Sequence, residues 1–193
     1  MSTSSFIARP TADGYNGIVV HYDGQPSQKL PLLLAAFQHR FGRDVDAMTR
    51  HLIDGVAIGW DQLGTDLLDG APPAIITALT GGAQWSSRAL DNFLITPDGS
   101  PPVRMTVTEK TAADQECEWG YVLRPEGIEV VSVRLQAGYG PLVGWDTDPR
   151  ARFSNSPVHW TFSQPAPAIA PVRAARPSQT APSAVPRRSA TRR

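Results

Sequence analysis

The spacing of apolar positions divides the front of this chain into two kinds of element. Over residues 17–22, Ile18, Val20 and Tyr22 alternate with Val19 and His21, which predicts a strand with two different faces. Asp23-Gly24 breaks the alternation, and Pro26 keeps the turn from resuming it. Leu30, Leu33, Leu34, Phe37 and Phe41 then recur at helical intervals, so a helix is predicted with Pro31 in its first turn and Gly42 as its stop. Asp44 is a good N-cap for a second helix whose face is Val45, Met48, Leu52 and Ile53, ended by Gly55. The link is short, so the two helices should pack against each other.

Further on the pattern is less regular. Trp60, Leu63, Leu67 and Leu68 fit either a short third helix or an apolar loop, and AIITAL (74–79) is a short segment closed by Gly81-Gly82. Residues 84–102 have no clean period. Val103, Met105 and Val107 alternate with Arg104, Thr106 and Thr108 as a half-buried strand would, and the acidic stretch 109–117 reads as a solvent loop. Residues 118–123 and 128–135 are predicted strands of a hairpin, because Pro125 and Gly127 suit the second and fourth positions of a type I turn begun by Arg124. Residues 136–163 read as loop with one late strand. Together these predict an α+β fold: a small antiparallel sheet from residues 17–22, 103–108, 118–123 and 128–135, covered on one face by the helices of residues 28–70.

Composition adds a boundary. Residues 164–193 hold six prolines, six arginines and no acidic residue, with almost nothing large and apolar to bury, so a disordered basic tail is predicted. The expected organisation is a frayed N-terminus over 1–13, one globular domain over 14–163 and the tail over 164–193. The formal net charge of zero hides an asymmetry. Residues 1–163 carry twelve basic against eighteen acidic side chains, net −6, and the tail carries +6. The acidic body argues against nucleic-acid binding by the domain, while the tail should give weak contact with a polyanion or nucleic acid. Sixteen of the eighteen basic residues are Arg, which together with abundant Ala and Pro reads as a compositional bias. Cys117 is the single cysteine, so neither an intrachain disulfide nor a cysteine-based zinc site is expected. With no signal-peptide pattern and no apolar run near the roughly 20 residues of a membrane span, a cytoplasmic protein without membrane contact is expected.

At His21-Tyr22-Asp23-Gly24-Gln25-Pro26 the chain resembles a group of small uncharacterised proteins of bacteria, their phages and integrating elements. That group carries a His-aromatic-Asp-Gly-aromatic-Pro motif. The resemblance implies that the motif closes an early strand, followed by a leucine-rich helix, a second helix and a Trp/Ser-Leu-Gly stretch. Here these are LPLLLAAFQHRF, DVDAMTRHLI and GWDQLG. It covers residues 17–64, with the EWGYVL strand as a fainter echo, and Gln25 stands where the group has an aromatic. No activity comes with the group, so the resemblance implies a fold and a mobile-element setting but no chemistry.

Two residues apart on a strand, His21 and Asp23 should share a face, and a His–carboxylate pair at a strand end can do acid–base work or hold a metal. The competing structural role gives Asp23 the turn before the helix and leaves His21 half-buried; it is favoured, since no nucleophile or zinc motif accompanies the pair. His39 and His51 should be solvated, and His159 could meet His21 only through the tertiary fold. Asp61, Asp66 and Asp69 lack calcium-loop spacing and read as a solvated face. The glycines of GGAQW (81–85) are not in phosphate-loop order. Among the five tryptophans, Trp145 and Trp160 sit between Gly, Pro and polar neighbours and should be partly exposed, as candidate binding residues together with Arg173, Arg176, Arg187 and Arg188 of the tail. The favoured reading is a non-enzymatic accessory or interaction protein of a phage-derived or mobile element, with a protein partner and without cofactor or metal. The alternative is a small hydrolase or nuclease that uses His21 and Asp23 with Glu109 or Glu118. Convergence of His21, Asp23 and a third titratable group in one pocket would favour the alternative.

Overall fold

The computed structural model describes residues 3–92, 98–100, 102–133 and 139–156. The order is β1 (Ser5–Thr11), β2 (Gly14–Val20), α1 (Pro26–Ala35), α2 (Val45–Thr49), β3 (Gly59–Gln62), α3 (Pro73–Thr80), β4 (Arg88–Ala89), β5 (Val107–Thr108), β6 (Trp119–Arg124), β7 (Gly127–Ser132) and β8 (Tyr139–Gly144). Both α1 and α2 continue as π-helical turns, over Ala36–Arg40 and Arg50–Asp54, and a 3-10 turn covers Thr65–Leu68. All of this lies in the compact unit Met1–Ser163; the other unit, Gln164–Arg193, is outside the described residues.

The fold is α+β, but the sheet is neither small nor antiparallel. Its eight strands run β4-β3-β2-β1-β6-β7-β8, with β5 also paired to β2. β1 pairs with β6 and β2 with β3 in parallel, while the remaining pairs are antiparallel. The reason is the helical pair itself. It leaves the end of β2 and returns to β3 on the same edge, and a crossover of that length is what parallel neighbours need.

The first residues are also part of the sheet, against the expectation of a frayed N-terminus. β1 sits between β2 and β6, with Phe6, Ile7 and Ala8 fully buried. A strand covered on both faces has no polar alternation to show, so Phe-Ile-Ala gives no strand period. One face packs Ile7, Ile18, Val20 and Tyr121 beneath Leu30, Leu33, Leu34, Leu52 and Ile53. The other face holds Phe6, Ala8, Tyr15, Val19 and Val122, and the segment read as a solvent loop folds over it, burying Ala112 and Cys117.

The strand expected over 103–108 shrinks to Val107–Thr108, and Val103 and Met105 are 85% and 51% exposed. A different force holds this segment. The Arg104 guanidinium donates to the carbonyls of Ile53 and Val56, where the second helical segment ends, and Met105 N donates to Ala57 O. Pro26, not Pro31, takes the first turn of α1, leaving Pro31 inside the helix, so Ser27 O receives no bond from residue 31. The hairpin around Pro125-Glu126 forms as expected, with Arg124 opposite Gly127. Among the described residues, no helix is long and apolar enough to cross a membrane.

Candidate functional site

The chain leaves β2 still paired to its parallel neighbour: His21 N donates to Trp60 O and Tyr22 N to Asp61 O, both at 3.0 Å. Asp23 then turns it with φ 57°, a left-handed conformation that Asp tolerates better than most residues. Gly24 is pressed against β1, where a Cβ would meet Thr3 O at 2.5 Å, so only glycine fits. Its N–H donates to Thr3 O (2.9 Å), and its carbonyl accepts the buried Tyr121 hydroxyl at 2.6 Å. Burial pushes the Tyr121 hydroxyl well above its ordinary pKa, so it stays a donor. Gln25 gives α1 no side-chain cap. Asn155 supplies one from the far end of the domain, accepting from Ser27 N through Oδ1 and donating Nδ2 to Gln25 Oε1, each at 2.9 Å.

Lys29 lies in the first turn of this helix and is 1% exposed. Its Nζ donates to Tyr22 O at 3.2 Å, the one acceptor it has among the described residues. Burial lowers its pKa from 10.5 to about 8, and the negative charge of Asp23 offsets part of that fall through space. Both residues line a cleft of about 300 Å³. Ser27 and Gln28 complete its polar end, and Leu32, Leu63, Leu68, Leu79, Thr80 and Trp85 line the rest. The far wall is α3, held between Pro72-Pro73 and two glycines of positive φ, Gly81 and Gly82. Trp85 is fixed by its indole N–H on Leu63 O (2.9 Å).

His21 and Asp23 are not brought together in this cleft. His21 is exposed and does not line it, because the turn at Asp23 ends the strand geometry that would have kept the two on one face. Asp23 lines the cleft but caps nothing. Glu109 packs its carboxylate against Gly14, at the opposite end of β2. Glu118 pairs its N–H with Ser4 O and does not line the cleft.

Trp145 corrects the expectation of partial exposure. It is 5% exposed, stacked on Phe37 at 4.0 Å, and its indole donates to Arg124 O. Trp160, His159, Arg173, Arg176, Arg187 and Arg188 lie outside the described residues.

The aspartates read as a solvated face each meet a guanidinium. Asp61 pairs with Arg88 at 2.5 Å, and Asp66 and Asp69 both pair with Arg40, at 3.1 and 3.8 Å. Burial would raise the Asp66 carboxyl, but hydrogen bonds from Ser87 and Arg40 outweigh it and hold the group below its ordinary value. His51 is half-buried between the rings of Phe41 and Trp60; burial, then the Arg40 charge, lower its pKa. His39 Nε2 is buried without a hydrogen-bond partner among the described residues. Among the described residues, no three His, Cys, Asp or Glu side chains gather as a metal site would require.

The residue that sequence reasoning missed is Lys29. Its signal was there: Lys29, Leu33 and Phe37 stand at i, i+4 and i+8, so the lysine occupies the apolar stripe of α1. It is also one of only two lysines in a chain that otherwise uses arginine. Compared with family models, with curated proteins and with solved structures, the chain matches none.

Proposed function

We propose that this chain is a binding protein without catalytic activity, an accessory module of a phage-derived or mobile element, and that it works through the cleft between α1, α3 and Trp85. The mobile-element setting rests on the motif of residues 21–26. The binding reading rests on one observation: Lys29 is buried at the wall of a cleft, and its ammonium has a single hydrogen-bond acceptor among the described residues. A lysine has three N–H donors, and leaving two of them without partners in a desolvated site is costly. Methionine would fill the same stripe of α1 at no such cost, so the charge is accounted for by a ligand that supplies the missing acceptors. The cleft volume, about 300 Å³, lies at the lower end of small-molecule sites and suits a metabolite-sized ligand. The net +6 of residues 164–193 adds a second arm, directed at a protein partner or a polyanion.

The reading is tested by native mass spectrometry of the full chain purified from its host, comparing wild type with Lys29→Met. A small-molecule adduct on the wild type that is absent from the variant is the expected result. Identical spectra for the two proteins would remove the cleft as the working site.

A further inference from the structure

The polar end of the cleft contains two opposite charges that do not satisfy each other. Lys29 Nζ bonds the Tyr22 carbonyl, and Asp23 acts on it only through space, without a hydrogen bond between them. No hydrogen bond or ion pair engages the Asp23 carboxylate among the described residues, although nearly every other aspartate of the helical face holds a guanidinium. An anion site would be expected to exclude a carboxylate, and a cation site to exclude a buried ammonium. A cleft lined by both, not bonded to each other, fits a ligand that carries both charges.

We propose that the cleft binds a free α-amino acid with an apolar side chain. Its carboxylate would meet Lys29 after a shift of that side chain toward the cleft, since the ammonium is almost wholly enclosed where it bonds Tyr22 O. Its ammonium would meet the Asp23 carboxylate, and its side chain would lie against Leu63, Leu68, Leu79 and Trp85. Size and lining agree with this class. A cleft of about 300 Å³ holds a single residue of the leucine or phenylalanine type with room for water, and most of its wall beyond the charged end is apolar. The proposal deepens the binding reading above and rests on it.

The experiment is isothermal titration of the full chain with L-leucine and L-phenylalanine, beside N-acetyl-leucine, which lacks the ammonium, and leucinamide, which lacks the carboxylate. Expected is saturable binding of at least one amino acid, weakened about tenfold or more by either block, as the loss of a charge-assisted contact requires. Lys29→Met and Asp23→Asn should each weaken the amino acid by a similar factor. Lys29→Met should cost leucinamide far less than it costs leucine, and Asp23→Asn should cost N-acetyl-leucine far less than it costs leucine. Asp23 is exposed, so that variant keeps the test open should Lys29→Met fold poorly. If N-acetyl-leucine binds as tightly as leucine, the cleft remains a binding site but the zwitterion assignment falls. If neither amino acid binds, the assignment falls as well, while the adduct experiment judges the cleft independently.

Discussion

Lys29 and Arg40 stand at the two ends of one helical segment, and the protein treats them in opposite ways. Arg40 is 24% exposed and paired with carboxylates: its Nη1 reaches the Asp66 carboxylate and carbonyl and lies near Asp69. Lys29 is 1% exposed and has one carbonyl acceptor among the described residues. The more deeply buried cation therefore has the poorer set of partners. A cation recruited for stability is placed where carboxylates can reach it, as Arg40 is. A cation buried with donors unmade lowers stability, a cost that the proposed ligand would offset. Arginine could not take the second role, since it does not shed its proton and its fork demands several acceptors at once.

Arg40→Leu tests the carboxylate-paired end and should have the largest effect. It removes the donor of the Asp66 carbonyl and leaves the Asp66 carboxylate with Ser87 alone, and a loss of about 2–4 kcal/mol is expected in urea unfolding at pH 7. A neutral result would mean that the Arg40 network is decorative and would erase the contrast.

Lys29→Met should act with the opposite sign. The shift from 10.5 to about 8 corresponds to about 3 kcal/mol of differential interaction against the charged form. Losing the bond to Tyr22 O takes some of that back, so a gain of about 1–3 kcal/mol at pH 7 is expected. The pH dependence identifies its origin. Below about 8 both the folded and the unfolded lysine are protonated, and the burial cost is fully present. Between about 8 and 10.5 the unfolded chain binds more protons than the folded one, so Lys29 makes the wild type progressively more stable relative to the variant. The advantage of Lys29→Met should therefore shrink across that window. Taking the difference between the two proteins matters, because Cys117, pushed up to about 12 by burial, lowers the stability of both as the unfolded thiol ionises. A variant less stable than wild type at pH 7 would place Lys29 with Arg40 as a structural cation.

Tyr121→Phe sharpens the comparison by loosening the turn that carries the lysine's acceptor. The Gly24 carbonyl would lose its buried donor, at about 1 kcal/mol, measured by thermal melts. Ligand binding should weaken with it, because the turn positions Tyr22 O and Asp23 together. Asp23→Asn should be the smallest change in stability, within about 0.5 kcal/mol, since Asn also tolerates the left-handed turn and no cap is lost. It should nonetheless move the Lys29 titration further down, which ¹⁵N-detected NMR of the side-chain amine would report. An unchanged titration would show that Asp23 does not act on Lys29.

What could be read from the sequence was what neighbouring residues decide. Pro125-Glu126-Gly127 carries its own turn chemistry, and the hairpin followed from it. The helical stripe from Leu30 to Phe41 placed the helix pair, although Pro26 and not Pro31 took the first turn. What could not be read depended on distant partners. β1 gives no strand period, because both its faces are covered and one of its neighbours comes from residues 119–122. Trp145 looked exposed by its neighbours and is buried by Phe37, far earlier in the chain. The site divides the same way. The turn at Asp23-Gly24 was legible, but pairing it with His21 assumed that the strand continues through Asp23, and its φ of 57° ends the strand there. Lys29 was overlooked because Lys is usually a surface residue. Only the fold shows that its four-carbon stem runs inward and its amine ends on the backbone of Tyr22.

The central place of β1 has a consequence during translation. Ser5–Thr11 can zip against Gly14–Val20 as soon as both leave the ribosome, but Ser5 must wait for Trp119, 114 residues later, to complete its other side. At about 5–20 residues per second, that wait is on the order of 10 s. For that interval the nascent hairpin exposes an open strand edge beside Phe6 and Ile7, the kind of edge that neighbouring nascent chains on a polysome can pair with. The first strand to be made is among the last to be enclosed, so yield of folded protein should respond to translation speed and chaperone supply more than the stability of the finished domain would suggest.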